Sequence, residues 1–392
     1  MAEPQPRHLP ALRPTSQHAQ WRWATPQGEA TLAGGDLGAI LLFHREVHGL
    51  TQTELGDILG YDKTYISALE LGRRTLKDVD SRRRVAGLLA LPPHVLGVTD
   101  PGVTDHRAML QFGEGVVRLA EVARQSGHAS DAVAELWPLV ARLEARLEDG
   151  HAEREVLYLL ARARVGLGVA LGNVLPEERL STAAHWTAKG LAIARHFDDP
   201  AFASYVLRMH GNELRKAQLS GSAVDRLRHA AALAPDDDTL AAVLPLLARA
   251  AGQLGDGDLF DSVLRDTDRL LDTVEHTSLA NPYALHEIHL RGLLATGRPQ
   301  HAVRLAESGP APTTSVAPQW RVIESVTAAR VRMIAGDQGG AAESLRLAVR
   351  EALIQRLPHQ LQRVIRIAGD RLGAERHAAE QALAVLRQQM AA

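Results

Sequence analysis

The sequence predicts an all-α protein built in two parts. Three observations carry this. Aromatic residues make up only 4% of the chain while Ala and Leu dominate; Ala and Leu favour helices, whereas strands favour β-branched and aromatic side chains. From Asp36 onward, apolar residues recur with the 3.6-residue helical period. After Asp105 the helical segments lengthen and recur in pairs, with glycines 221, 255, 297 and 336 standing 34, 42 and 39 residues apart. A period of that size marks stacked helix-turn-helix units, each burying its face on its neighbours.

In chain order, residues 1–35 are rich in Pro, Gln and Gly and hold no sustained period. They read as a mostly disordered flexible arm. Trp21 and Trp23 are the exception, either docked on the folded body or held in a mobile tail. A helix with Leu37, Ile40, Leu41 and His44 on one side then runs to Gly49. Thr51 opens the next, and Glu54 three residues on makes a capping box. Leu55, Ile58 and Leu59 form its apolar face, and Gly60 ends it. Asp62 caps a third helix through Leu71, with Ile66 and Leu69 inward. A fourth spans about Asp80 to Ala90, and Pro92 and Pro93 open a short fifth. These five helices make a domain over 36–98. VTDPGVTD, at 99–106, reads as a hinge. Residues 107–392 form the repeats, about five or six helix pairs. Their loops include GHASDA (127–132), GRPQHA (297–302) and GDQGGA (336–341), each a Gly followed five residues later by Ala.

Composition excludes several classes. The net charge of −2 means the chain as a whole is not a basic nucleic-acid-binding protein, so local charge must carry that argument. Absence of cysteine removes disulfides, cysteine nucleophiles and thiolate metal sites. No signal-peptide core and no run of about 18 apolar residues is present, so a soluble cytoplasmic protein is expected. No catalytic constellation appears. His286-Glu287-Ile288-His289 is one residue short of the HExxH zinc motif. His44 and His48, four apart, could share a metal, but a lone pair is more often structural. GLGVALG (166–172) has no preceding strand and reads as close helix packing rather than a dinucleotide loop. Asp236-Asp237-Asp238 reads as a helix cap. No enzyme, no cofactor and no metal are expected.

The opening domain carries the sharper signal. Two helices joined at Gly60, TQTELGDILGYDKTYISALELGRR, form a helix-turn-helix. The second helix of such a motif enters the DNA major groove, and its early residues meet base edges. That places Lys63, Thr64, Tyr65 and Ser67 at bases, Gln52 at a phosphate or a base, and Arg73 and Arg74 at phosphates. Residues 63–84 hold seven basic residues against Glu70, Asp78 and Asp80, a positive patch of the kind that binds the phosphate backbone. Thr51-Gln52, Leu55-Gly56, Leu59-Gly60, Ile66-Ser67, Glu70 and Gly72-Arg73-Arg74, followed by LLALPPHVLG, resemble the Cro-like and phage-repressor-like XRE family over about residues 36–98. The resemblance implies double-stranded DNA as partner, read by a homodimer on a pseudo-palindromic operator. Gly56 departs from the family's usual Ala, and a helical Gly costs roughly 0.5–1 kcal/mol relative to Ala, so a slightly weaker domain is expected.

The loop glycines and small residues after 106 are similar to tetratricopeptide repeats, although the bulky aromatic positions of that family are mostly missing. A helix-turn-helix followed by such repeats resembles the peptide-sensing RRNPP regulators of Gram-positive bacteria, and the high Ala, Arg, His and Gly content resembles actinobacterial proteins. The resemblance implies a superhelix that dimerises and receives a signalling peptide or small molecule on its concave face. Counting back from the loop glycines by the family's spacing places Arg215, Arg291 and Arg330 there, with Arg208, Asn212 and Gln218 sharing the face of Arg215. Guanidinium forks suit a carboxylate. The other reading of the repeats is a protein-interaction or dimerisation scaffold with no small ligand.

Overall fold

The structure is a computed structural model that describes residues 23, 25–91, 93–98, 106–148, 152–308 and 317–391. Among these it is all-α, with nineteen α-helices and no strand. No described helix is long and apolar enough to cross a membrane. The chain divides into two compact units, Met1–Asp100 with Met390–Ala392, and Pro101–Gln389.

In the first unit, α1 (Pro26–Ala33) precedes α2 (Leu37–His48), α3 (Gln52–Leu59), α4 (Lys63–Glu70) and α5 (Val79–Leu88). A single 3₁₀ turn, Pro93–Leu96, follows where a fifth helix was expected. Part of the segment read as an arm, Pro26–Ala33, is helical. Thr25 caps α1 and Pro26 supplies a preset first-turn φ. Trp23 is 2% exposed, tilted against Phe43 and stacked on His44. Trp21 and the rest of residues 1–22 lie outside the described residues. Ile40, Leu41, Leu55, Leu59, Ile66 and Leu69 form the core, while Ile58 is exposed at 36% and is not part of it.

Gly56 corrects an expectation. A Cβ there would sit 2.5 Å from the carbonyl oxygen of Tyr61. The turn after α3 closes directly on the helix, so the missing side chain is what lets the turn form. This close approach opposes the cost expected from helix propensity, since a side chain at 56 would force the turn to shift.

The second unit stacks α6 (His106–Gln125), α7 (Ala129–Glu148), α8 (Arg154–Val174), α9 (Leu180–Ala194), α10 (Pro200–Lys216), α11 (Ser220–Ala232), α12 (Asp237–Leu254), α13 (Gly257–Leu271), α14 (Pro282–Ala295), α15 (Pro299–Ala306), α16 (Pro318–Ala335), α17 (Gln338–Ile354), α18 (Pro358–Ala368) and α19 (Gly373–Ala391). Residues 99–105 of the expected hinge lie outside the described residues, and His106 already belongs to α6. Consecutive helices pack on one another, and the even-numbered helices also pack on the next even one, from α6 to α18. They form an inner row, with α7 through α19 of odd number outside it. Small residues let the rows close up: a Cβ on Gly168 would meet the Ala183 carbonyl at 2.8 Å, so GLGVALG is a close helix crossing. Asp236 caps α12, accepting from the Thr239 N–H at 2.8 Å.

The inner row curls until α18 packs against α8 and against the turn Glu177–Arg179. The Glu177 N–H donates to the Gln362 amide oxygen at 2.8 Å, and Arg366 grips the Glu177 carboxylate at 2.5 and 2.7 Å. Asn173 donates to Gln319 at 3.3 Å across the same seam.

Candidate nucleic-acid interface and candidate ligand cavity

The capping box is complete in α3. The Glu54 N–H donates to the Thr51 hydroxyl at 3.2 Å, and the Thr51 N–H donates to the Glu54 carboxylate at 2.7 Å. The Thr51 N–H, and then the Thr51 hydroxyl, donating to the Glu54 carboxylate hold it below its ordinary value. Gly60 ends α3 at φ 72°, and the Asp62 side chain caps α4 by accepting from the Tyr65 N–H. The two helices are thus fixed by three local devices the sequence spells out. On α4, Ile66 and Leu69 face the core, Lys63 and Thr64 are exposed, and Tyr65 and Ser67 are half-buried.

Glu70 is the bracket behind this surface. It accepts from Arg45 Nε at 2.9 Å and from Gln52 Nε2 at 2.7 Å, tying α2, α3 and α4 together. Gln52 is therefore held by Glu70 at the edge of the surface, with its side chain already oriented. The basic patch also sorts itself. Arg82 donates into the Leu76 and Leu96 carbonyls, and Arg83 pairs with Asp80. Lys63, Lys77, Arg73 and Arg74 are exposed.

One feature of this face was not read from the sequence. Tyr61 and Tyr65 stack with centroids 4.7 Å apart. The Arg74 guanidinium lies 5.1 Å over the Tyr65 ring, and that of Arg84 lies 5.0 Å over Tyr61. The result is a four-layer Arg-Tyr-Tyr-Arg stack, stabilised by ring stacking and by the attraction of a cation for an aromatic face. Two aromatics four residues apart beside an arginine-rich turn were the available signal.

The second unit holds a cavity of about 1280 Å³ on the inner row. Arg215, Arg291 and Arg330 line it, together with Arg249, Arg363 and Arg366. The arrangement has a simple register. Gly255, Gly297, Gly336 and Gly369 follow α12, α14, α16 and α18 with φ of 85°, 76°, 84° and 49°. Six residues before each stands an arginine: Arg249, Arg291, Arg330 and Arg363. The matching position in α10 is Asn212, because Gln218, at φ 64°, takes the turn. Gly221 lies inside α11 and is not a loop glycine. Arg215 therefore reaches the cavity from the next turn of its helix rather than from the equivalent position.

Asn212 accepts from Arg215 Nε and Nη2 at 3.3 and 3.0 Å, and Gln253 accepts from Nη1 at 3.3 Å. Gln253 also donates to Gln218 at 3.0 Å. Asn212 thus positions Arg215 directly and Gln218 only through Gln253, and neither lines the cavity. Arg208 is elsewhere, its guanidinium over the Tyr205 ring at 5.6 Å and not on the cavity wall. Arg249 and Arg363 were missed by the sequence reading, although the loop glycine at 255 pointed to the first.

Asp370 is the one acidic residue among the described lining and pairs with Arg376; the cavity is otherwise short of negative charge. Arg366 is paired with Glu177, but Arg215, Arg249, Arg291, Arg330 and Arg363 have no carboxylate in an ion pair among the described residues. Arg249 Nε and Arg291 Nη1 are buried with no hydrogen-bond partner among the described residues. Burial first, and Arg291 second, pull Arg215 down to about 10. Burial and neighbouring arginines lower Arg249 and Arg363 well below the usual guanidinium value. An arginine keeps its proton in proteins, so these directions register the free energy of holding the charges together. Two unit charges about 9 Å apart, the spacing of packed helices, repel by roughly 2 kcal/mol at an effective dielectric of about 20. Glu287, one turn from Arg291, offers little relief: burial, with help from Glu324, pushes it up to about 7. Ile288, Leu294, Val326 and Met333, three or four residues from Arg291 or Arg330 on the same helices, add apolar lining between the arginines.

No protein-family model matches the chain. No curated protein matches it either. Two solved structures are similar in parts. One, from the functional characterization of Pseudomonas aeruginosa pilF, is 15% identical, with 62% of this chain and 93% of that chain covered and a TM-score of 0.35. The other is a circular tandem repeat protein with novel repeat topology and enhanced subunit contact surfaces, 16% identical, covering 95% of this chain and 88% of that chain with a TM-score of 0.22. At scores this low, neither neighbour's arrangement nor its role transfers to the chain.

Proposed function

We propose that the chain is a sequence-specific DNA-binding transcriptional regulator whose repeat unit receives a signal. The observation that carries this reading is the α3–Gly60–α4 geometry. Its turn is locked by two caps and a left-handed glycine, and α4 begins with exposed Lys63 and Thr64. In this reading α4 enters the major groove, Lys63, Thr64, Tyr65 and Ser67 approach base edges, and Arg73 and Arg74 contact phosphates. Gln52 supports the same face through Glu70. A single eight-residue helix reads few bases, so two copies of the chain are needed on a two-fold-symmetric operator.

The repeat unit supplies the regulation. A peptide or small ligand in the arginine-lined cavity favours one curvature of the inner row, and it shifts DNA binding by its differential affinity for the two states. A second reading, a protein-interaction or dimerisation scaffold, is favoured by α6, where Phe112, Leu119 and Val122 lie 75%, 69% and 60% exposed on one stripe. The two readings are compatible if α6 joins the copies.

The test is selection of DNA from fragmented genomic DNA by the purified chain, with a Lys63→Ala/Ser67→Ala variant alongside. The regulator reading expects enrichment of a two-fold-symmetric site that the variant loses. Equal enrichment by both proteins would sink the assignment of α4 as the reading helix.

A further inference from the structure

We propose that the inner-row cavity is a polyphosphate site, whose ligand is held through a run of two or more phosphate groups. This rests on the reading of the cavity as the signal-receiving site and specifies the chemistry it takes.

Four arginines, Arg249, Arg291, Arg330 and Arg363, stand in one register on four successive inner helices. Arg215 joins them, and none is neutralised by a carboxylate among the described residues. A peptide terminus brings one negative charge. Neutralising several adjacent guanidiniums within one cavity takes a compact group with several charges. A phosphate monoester carries about −1.5 to −2 with three acceptor oxygens, so two or three linked phosphates match the row.

Guanidiniums bind phosphate oxygens through two parallel N–H donors. Arg249 Nε and Arg291 Nη1 are buried donors that nothing among the described residues satisfies, and a buried donor left unmet costs free energy that a partner would recover. The protein fixes Arg215 in advance with Asn212 and Gln253. Prealigned side chains lose little entropy on binding. The inner row curls, so the guanidiniums converge on one space, where Arg249 and Arg363 each feel the charges of Arg215 and Arg291; such a cluster suits a compact anion with several charges better than a single tetrahedral ion. Ile288, Leu294, Val326 and Met333, interleaved with the arginines on the lining, offer apolar contact to an organic group carried by the phosphates.

Trp320 supplies a built-in reporter, since the Arg249 guanidinium lies 5.5 Å over its ring. The experiment is titration of the full chain with inorganic phosphate, pyrophosphate, tripolyphosphate, ADP and a hexaglutamate peptide. Tryptophan fluorescence and calorimetry are the readouts. Arg291→Gln/Arg330→Gln tests the cavity. Arg73→Gln/Arg74→Gln controls for anions bound at the first unit. The expected result is affinity rising at least tenfold from phosphate to tripolyphosphate, with the gain lost in the cavity variant and kept in the control variant. ADP tighter than pyrophosphate assigns an organic ligand, and equal affinity assigns the inorganic anion; both uphold the phosphate chemistry. Tripolyphosphate no tighter than phosphate, or hexaglutamate tighter than tripolyphosphate, overturns it. DNA selection by the same preparations separates the two readings. Phosphate binding without operator selection leaves this site standing and removes the regulator, and the reverse removes only this site.

Discussion

The indole N–H of Trp23 donates to the carbonyl oxygen of Leu89, 3.0 Å away and 66 residues along the chain. The bond joins the segment before α1 to the C-terminal end of α5, and the ring fills space against Phe43 and His44. Trp23→Ala is expected to destabilise the first unit by about 3–5 kcal/mol, as for a buried large-to-small change. Trp23→Phe keeps most of the ring but leaves the Leu89 carbonyl unmet, a loss of about 1 kcal/mol. Hydrogen exchange of the α2 and α5 amides in the full chain measures both. Unchanged protection in the Ala variant would show that the segment merely rests on the surface.

Gly56→Ala sets helix propensity against packing. Propensity alone predicts a gain of roughly 0.5–1 kcal/mol. The new Cβ, 2.5 Å from the Tyr61 carbonyl oxygen, predicts a loss of about 1–3 kcal/mol from overpacking. The loss is expected to win, because a backbone carbonyl inside a closed turn cannot rotate away. Protection of the α3 and α4 amides decides the sign.

On the proposed reading of the cavity, its arginines trade stability for recognition. Arg291→Gln is expected to raise the stability of the ligand-free second unit by about 1 kcal/mol, because it removes a repelling, incompletely bonded charge. Arg118→Gln, on the exposed side of α6, is expected to change little. Urea unfolding without added anion makes the comparison. A clear loss of stability in the Arg291 variant would mean the row is structural.

Acid sensitivity follows from His210. Its Nδ1 lies 2.9 Å from the Thr187 hydroxyl, and burial, followed by the nearby Arg226 charge, pushes its pKa from the usual 6.5 to about 4. The folded ring stays neutral where the unfolded ring takes a proton. Its stabilising effect is therefore complete above pH 6.5, is lost as pH falls toward 4, and changes no further below that. The loss is on the order of 3 kcal/mol at roughly 1.4 kcal/mol per pKa unit. Glu287, pushed up to about 7, acts in the opposite sense, with its stabilisation lost as pH rises from the usual carboxylate range through 7. The His210 part is isolated by comparing unfolding of the parent and His210→Gln between pH 7 and 4. Parallel curves would refute it.

Much of this was legible in the residues. Helix ends with a spelled-out device, such as Thr51 with Glu54, Asp62, or Asp36 before Leu37, fall where the sequence puts them, because a cap is a local interaction. Helix α1 was missed because PQGEATLA has no apolar stripe, and its signal lay in Thr25-Pro26 instead. Ile58 fits the helical period yet faces out, since period fixes a side of the helix and not what covers it. The cavity is the instructive case. Arg291 and Arg330 follow from loop glycines, but Gly221 misled the count, because the turn it was taken to mark is made by Gln218. Left-handed backbone in a non-glycine residue leaves no mark in the sequence. Neither does the convergence of Arg249 and Arg363 on one space, which depends on how far the row of helices bends.

That bend has a last consequence. An open stack of repeats unravels from whichever end is weaker, one pair at a time, because each unit leans only on its neighbours. Between α8 and α18 the row meets itself, so those helices have no loose end from which to unravel. The segment should melt like a hoop, in one step, with the Glu177–Arg366 grip at its join. Cutting the join with Arg366→Ala should turn the hoop back into a ribbon, seen as a broader unfolding transition that begins earlier.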